Sequence, residues 1–174
     1  FIRTILACLD RGLLLYEKVG KSSVEGLLEI FNYARAKYGC DQFVIDSLMR
    51  LGIAGDDYTG QEQAVYRMVD WTIANNVHLH LVAHSRKGGK DTGVPETEDV
   101  KGAMEIGANA FNIITIWRNR KAEEAEGDER KAMTDEPGVV LNVAKQRNGD
   151  FEGKVRLFFN TETSHYHSQT DNRR

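Results

Sequence analysis

Short apolar runs alternate with amphipathic stretches along the first two thirds of this chain. The runs at residues 12–17 (GLLLYE), 42–48 (QFVIDSL), 78–84 (HLHLVAH) and 111–118 (FNIITIWR) have the length and composition of buried strands. Between the first two, Val24, Leu27, Leu28, Phe31 and Tyr38 share one helical face. Ser22 or Ser23 is placed to cap that helix, and Gly39 to stop it. Residues 61–76 repeat the pattern, with Val65, Met68, Val69 and Thr72 inward and Asn75-Asn76 at the end. A shorter helix is expected at 98–106. Strands alternating with helices predict an α/β domain with a largely parallel sheet flanked by helices. The runs at 139–147 (VVLNVAKQR) and 154–160 (KVRLFFN) flank an Asn148-Gly149 turn and predict an antiparallel hairpin at one sheet edge.

At 174 residues the chain has room for one ordinary domain. Residues 1–11 have Ile2, Ile5, Leu6 and Leu9 at helical spacing and read as the end of a helix begun upstream. The chain is therefore expected to be part of a longer protein, with a partial core at 12–160 and a polar, frayed tail at 161–174. Residues 118–136 carry five basic and seven acidic side chains, as a solvated excursion between strands does. Cys8 and Cys40 are too few for a disulfide framework and suit a reducing cytoplasm. A net charge of −3 excludes a uniformly basic nucleic-acid binder and leaves room for a local basic strip. No apolar run approaches the roughly 18 residues of a membrane span.

Chemistry is expected at the carboxyl ends of the strands, where open α/β sheets bind ligands. Asp46 ends the run Phe43-Val44-Ile45, a position suited to holding the Mg²⁺ of a nucleoside triphosphate; an Asp capping a turn is the alternative. Gly20-Lys21-Ser22 is not a phosphate loop. The cradle needs Gly-x-x-x-x-Gly-Lys-Ser/Thr, and the residue five before Gly20 is Leu15. His78, His80 and His84 share a parity, yet no Cys or carboxylate stands beside them at ligand spacing. His84 closes its strand at the same edge as Asp46, within reach of a phosphate. Arg86, Lys87 and Lys90 come next on a Gly-rich loop, where mobile cations suit a nucleic-acid backbone. Lys145 and Arg147 are two apart at a strand tip, facing one way, as a phosphate clamp or as solubilising charges on a hairpin edge.

In order and spacing, QFVIDSLMRL, HLHLVAHSRKG, VPETEDVKGAMEIGANAFNIITIWRNR and VVLNVAKQRNGDFEGKVRLFFN resemble the RecA-like C-terminal domain of DnaB-type replicative helicases. That group includes phage primase-helicases and the mitochondrial helicase Twinkle. The stretches cover most of residues 13–160. AKQRNG followed by G-x-V-x-L-x-F-N is the most specific of them.

The resemblance implies roles. Asp46 is the Walker B aspartate, acting on Mg²⁺ through water. His84 is the γ-phosphate sensor. Arg147 with Lys145 is the arginine-finger pair that reaches the ATP of a neighbouring subunit. Phe159 stacks on the base. Arg86, Lys87 and Lys90 hold single-stranded DNA in a central channel. Residues 50–60 match a second channel loop, although Asp56-Asp57 disfavours phosphate contact. The histidine sensor points to the phage and mitochondrial branch, and AKQRNG to the bacterial one. The implied whole is an ATP-dependent, hexameric DNA helicase of a bacterial or phage-infected cytoplasm, with a primase domain or protein as a possible partner. In the family the Walker A lysine, its Ser/Thr and the water-activating glutamate precede the Walker B strand, and none is present here. These 174 residues alone are thus expected to bind ATP poorly and not to hydrolyse it. Two rivals remain: a RecA-like recombinase or other ring ATPase, and a non-enzymatic single-strand-binding module without a P-loop.

Overall fold

The computed structural model describes residues 12–16, 20–84, 94, 107–121, 136–160 and 163–168. Helix α1 (Val24–Tyr38) begins where the Ser23 hydroxyl accepts the Gly26 N–H at 3.2 Å, leaving Ser22 outside the cap. It ends at Gly39, whose φ of 71° is left-handed backbone that glycine adopts without strain. Strand β1 (Gln42–Asp46) comes next, then a single 3₁₀ turn at Leu48–Arg50. Helix α2 (Tyr58–Asn75) starts three residues before the expected 61, because the Asp57 carboxylate accepts the Gly60 N–H at 2.8 Å. Asn76, at φ 50°, closes it. Strand β2 (His78–Val82) returns parallel to β1, with Gln42 opposite His78 and Asp46 opposite Val82.

This β1–α2–β2 unit and α1 enclose one core. Val24, Phe31, Phe43, Ile45, Leu48, Leu51, Ala64, Val65 and Met68 are buried, with Leu27, Leu28, Val69, Trp71, Leu79 and Leu81 packed around them. The alternating burial of β1 sends Phe43 and Ile45 inward and Gln42, Val44 and Asp46 outward. The Phe43 ring centroid lies 4.6 Å from that of Phe31 and 5.2 Å from that of Trp71. The Trp71 indole N–H donates to Asn32 Oδ1 at 2.9 Å, and Arg67 pairs with Glu25, so α1 and α2 are also joined at their polar rims. Tyr38 leaves the expected inward face. It is 54% exposed, edge-on to Tyr33, with the Lys37 ammonium against both rings. The hydrogen bond from Lys37 to the Tyr33 hydroxyl, then the neighbouring Tyr38, raise the Lys37 pKa above its ordinary value.

The remaining strands, β3 (Asn112–Arg118), β4 (Val139–Gln146), β5 (Gly153–Asn160) and β6 (His165–His167), form a second sheet in that order, every pair antiparallel. The β4–β5 hairpin is antiparallel as expected, but it lies between β3 and β6 in this second sheet and not at the edge of a parallel one. A largely parallel sheet is not what the described residues form: their one parallel pair is β1–β2. The run at 111–118 joins β4, with a bulge between Ile113 and Ile114. An apolar run states that a strand is buried and is silent on the direction of its partner.

Two further expectations change. Residues 13–16 form no strand, and Leu13, Leu14, Leu15 and Tyr16 are 47%, 55%, 77% and 53% exposed. A strand needs a hydrogen-bonding neighbour as well as an apolar sequence, and no described strand pairs with this one. Conversely, His165–His167 in the polar tail pairs with Phe158–Asn160 and extends the second sheet. The helix expected at 98–106, the basic loop and the upstream helix at 1–11 lie outside the described residues. No helix among the described residues is long and apolar enough to cross a membrane.

Candidate functional site

The carboxyl edge of the parallel pair carries two of the expected residues. Asp46 is the last residue of β1 and is exposed, because the outward parity of Gln42 and Val44 continues to it. The register places Val82 directly opposite, and His84 lies two residues beyond on the neighbouring strand's continuation, also exposed. The strand β2 stops at Val82, so His84 stands past the strand end instead of closing it. Behind Asp46 the chain turns sharply. The Asp46–Ser47 peptide is cis, Ser47 is buried, and Leu48 drops into the core. The carboxylate makes no hydrogen bond or ion pair with the described residues, and a carboxylate is a ligand type that hard cations take.

His78 and His80 lie on the same outward face, ring centroids 4.4 Å apart, with His80 Nε2 3.3 Å from Gln42 Oε1. Among the described residues no three His, Cys, Asp or Glu side chains gather around one point.

The second group sits where β4 ends. Lys145 is half-buried, and its ammonium donates to the carbonyls of Gly107 at 2.8 Å and Ala108 at 3.2 Å. Strand β4 stops at Gln146, so Arg147 is the first residue of the turn, one residue past the end of the strand expected to include it. The Glu152 carboxylate accepts the Gln146 N–H at 3.1 Å, which closes the turn from its other side. Arg147 is exposed. Its backbone N–H donates to the Phe111 carbonyl at 3.0 Å, and its guanidinium carbon lies 4.7 Å from the Phe111 ring centroid. Both cations are thus held by the short segment 107–111, of which the sequence marks only Phe111, as the first residue of an expected strand.

Phe159 is 48% exposed on β5, opposite Tyr166 on β6, the two ring centroids 5.0 Å apart. Tyr166 is not among the residues expected from sequence. The alternation His165-Tyr166-His167 is the signal for it, three residues long inside a polar tail. Arg86, Lys87 and Lys90 lie outside the described residues, so their expected channel position has no geometry beside it.

No protein-family model matches the chain, and no curated protein matches it. A solved structure does: a DnaB-like replicative helicase, described together with its interactions with primase, superposes with a TM-score of 0.65 at 19% identity. The match covers 87% of this chain and 36% of that one, so the chain spans about a third of the helicase it resembles. The likeness establishes a DnaB-like arrangement of the backbone.

Proposed function

We propose that the chain is part of a ring-forming replicative DNA helicase that couples ATP hydrolysis to movement along single-stranded DNA. The observation that carries this reading is the placement of Asp46 and His84 at the same carboxyl edge of adjacent parallel strands, in a backbone arranged like that of a DnaB-like helicase.

Asp46 would hold Mg²⁺ through a bridging water, and nucleotide phosphates would supply the direct oxygen ligands. Bound there, the ion would neutralise charge on the β- and γ-phosphates. The His84 imidazole would hydrogen-bond the γ-phosphate and report its presence to the basic loop beyond it. Arg147, with Lys145, would reach the ATP of a neighbouring subunit, where charge spreads over the γ-phosphoryl oxygens as water attacks in line. Phe159 offers an apolar face to the base. Arg86, Lys87 and Lys90 would hold the DNA backbone by charge, and a primase domain or protein is the partner the resemblance suggests. The phosphate cradle and the water-activating carboxylate that this reading needs are not among these 174 residues.

The test is ATP hydrolysis and strand displacement by the full-length protein and its Arg147→Ala variant. The variant should bind nucleotide normally and lose hydrolysis by about 10³-fold or more, the range of a finger supplied in trans. Retained hydrolysis in the variant would remove Arg147 from the site. Salt-sensitive single-strand binding indifferent to nucleotide, with no hydrolysis by the parent protein, would favour the non-enzymatic module. Strand pairing without unwinding would favour a recombinase.

A further inference from the structure

The contact between Phe111 and Arg147 is more than a hairpin neighbouring a strand. Arg147 lies past the last residue of β4, exposed, on a long side chain that the ladder alone does not orient. Two interactions orient it. The main chain is tied by the Arg147 N–H to the Phe111 carbonyl at 3.0 Å, and the side chain by its guanidinium over the Phe111 ring at 4.7 Å. Phe111 in turn is placed by β3, into which it leads. Asn112 pairs with Gln146 and Ile113 with Lys145, so the ring's backbone anchor moves with the strand that carries Arg147. An aromatic face attracts a cation through its quadrupole, and the planar guanidinium stacks on it while leaving its N–H donors free at the rim.

We infer that Phe111 is a positioning residue for Arg147: its ring holds the guanidinium in place at the hairpin tip, ready for an anionic phosphoryl group. This rests on the proposed role of Arg147. The geometry predicts a requirement for aromaticity at 111, which packing alone would not impose. Leucine keeps an apolar side chain and loses the quadrupole, whereas tyrosine keeps both.

Steady-state ATPase measurements on the full-length protein decide the functional half. Phe111→Leu should lower kcat about two- to fivefold with KM for ATP unchanged, the scale of one exposed cation–π contact. Phe111→Tyr should restore kcat. Phe111→Leu added to Arg147→Ala should cause no further loss, since the two act as one unit. Nuclear magnetic resonance on the 174-residue chain decides the structural half. The Arg147 Nε–H should show a ring-current shift that disappears in Phe111→Leu and persists in Phe111→Tyr. Wild-type kcat in Phe111→Leu, alongside loss of hydrolysis in Arg147→Ala, overturns the inference and spares the arginine. Full hydrolysis in Arg147→Ala overturns the functional role of both. An Arg147 resonance indifferent to all substitutions at 111 overturns the contact. If circular dichroism shows Phe111→Leu to be unfolded, the unbranched Phe111→Met replaces it in both experiments with the same expected outcomes.

Discussion

Asp46 ends β1 directly opposite Val82, and His84 stands two residues beyond Val82 on the adjoining parallel segment. A carboxylate and an imidazole well apart in the chain are thereby brought to one sheet edge by a single βαβ crossover, both exposed. Because neither side chain packs in the core, each should be replaceable without loss of fold. Asp46→Asn and His84→Ala should leave the unfolding midpoint nearly unchanged, within about 0.5 kcal/mol. In the full-length protein Asp46→Asn should reduce Mg²⁺-dependent ATP hydrolysis by about 10²-fold or more, in line with the loss of a key electrostatic contact. A stable variant with undiminished turnover would return Asp46 to the role of a turn residue.

The basic loop makes a prediction in ionic strength. Lys87→Ala in the full-length protein should weaken single-strand binding and reduce the slope of log K against log salt by about 0.7, one phosphate contact on a single strand. Titrations at several salt concentrations read this directly. An unchanged slope places the lysine away from the backbone of the DNA.

The aromatic triad should dominate stability in the first part of the chain. Phe43→Ala removes a buried ring that touches both Phe31 and Trp71, and should cost about 3–5 kcal/mol. Trp71→Phe keeps much of the packing but leaves Asn32 without the indole donor, and should cost a smaller amount, about 1 kcal/mol from the hydrogen bond. Urea unfolding followed by far-ultraviolet circular dichroism ranks the two.

The two helix ends give an opposed pair. Gly39 sits at φ 71° with no atom within 4 Å of where a Cβ would stand, so Gly39→Ala should cost only its backbone strain, about 1 kcal/mol. Asn76 already tolerates φ 50°, and Asn76→Gly should be neutral or slightly stabilising. Thermal unfolding of the two variants should move in these different directions. Equal losses would show that the caps are held by contacts other than their backbone conformation.

Much of the candidate site is legible in residue order. Asp46 and His84 lie where apolar runs end, and strand ends in α/β folds are where ligands gather, so their shared edge emerges once the two runs are neighbours in a parallel pair. Lys145 and Arg147 are legible as cations near a turn, but their surroundings are not. The carbonyls that hold Lys145 belong to Gly107 and Ala108, and the ring beneath Arg147 belongs to Phe111, all far upstream in the chain. No local pattern announces a contact at that separation. Tyr166 is hidden because three alternating residues in a polar stretch carry too little periodicity to outweigh their setting.

Residue order marks α1 and α2 and where each stops, and most of the strands. Helical spacing set Val24, Leu27 and Phe31 on one face, Ser23 carried cap chemistry, and Gly39 permitted the left-handed turn, whereas the cap at Asp57 came to light with the earlier start of α2. These are properties of a few adjacent residues acting on their own backbone. Long-range packing, by contrast, sets the antiparallel pairing of 112–118 with β4, the absence of a strand at 13–16, and the partner that His165–His167 gains. Strand pairing consumes hydrogen bonds from two distant segments at once, so its direction and register are settled by which edges meet and what that meeting buries.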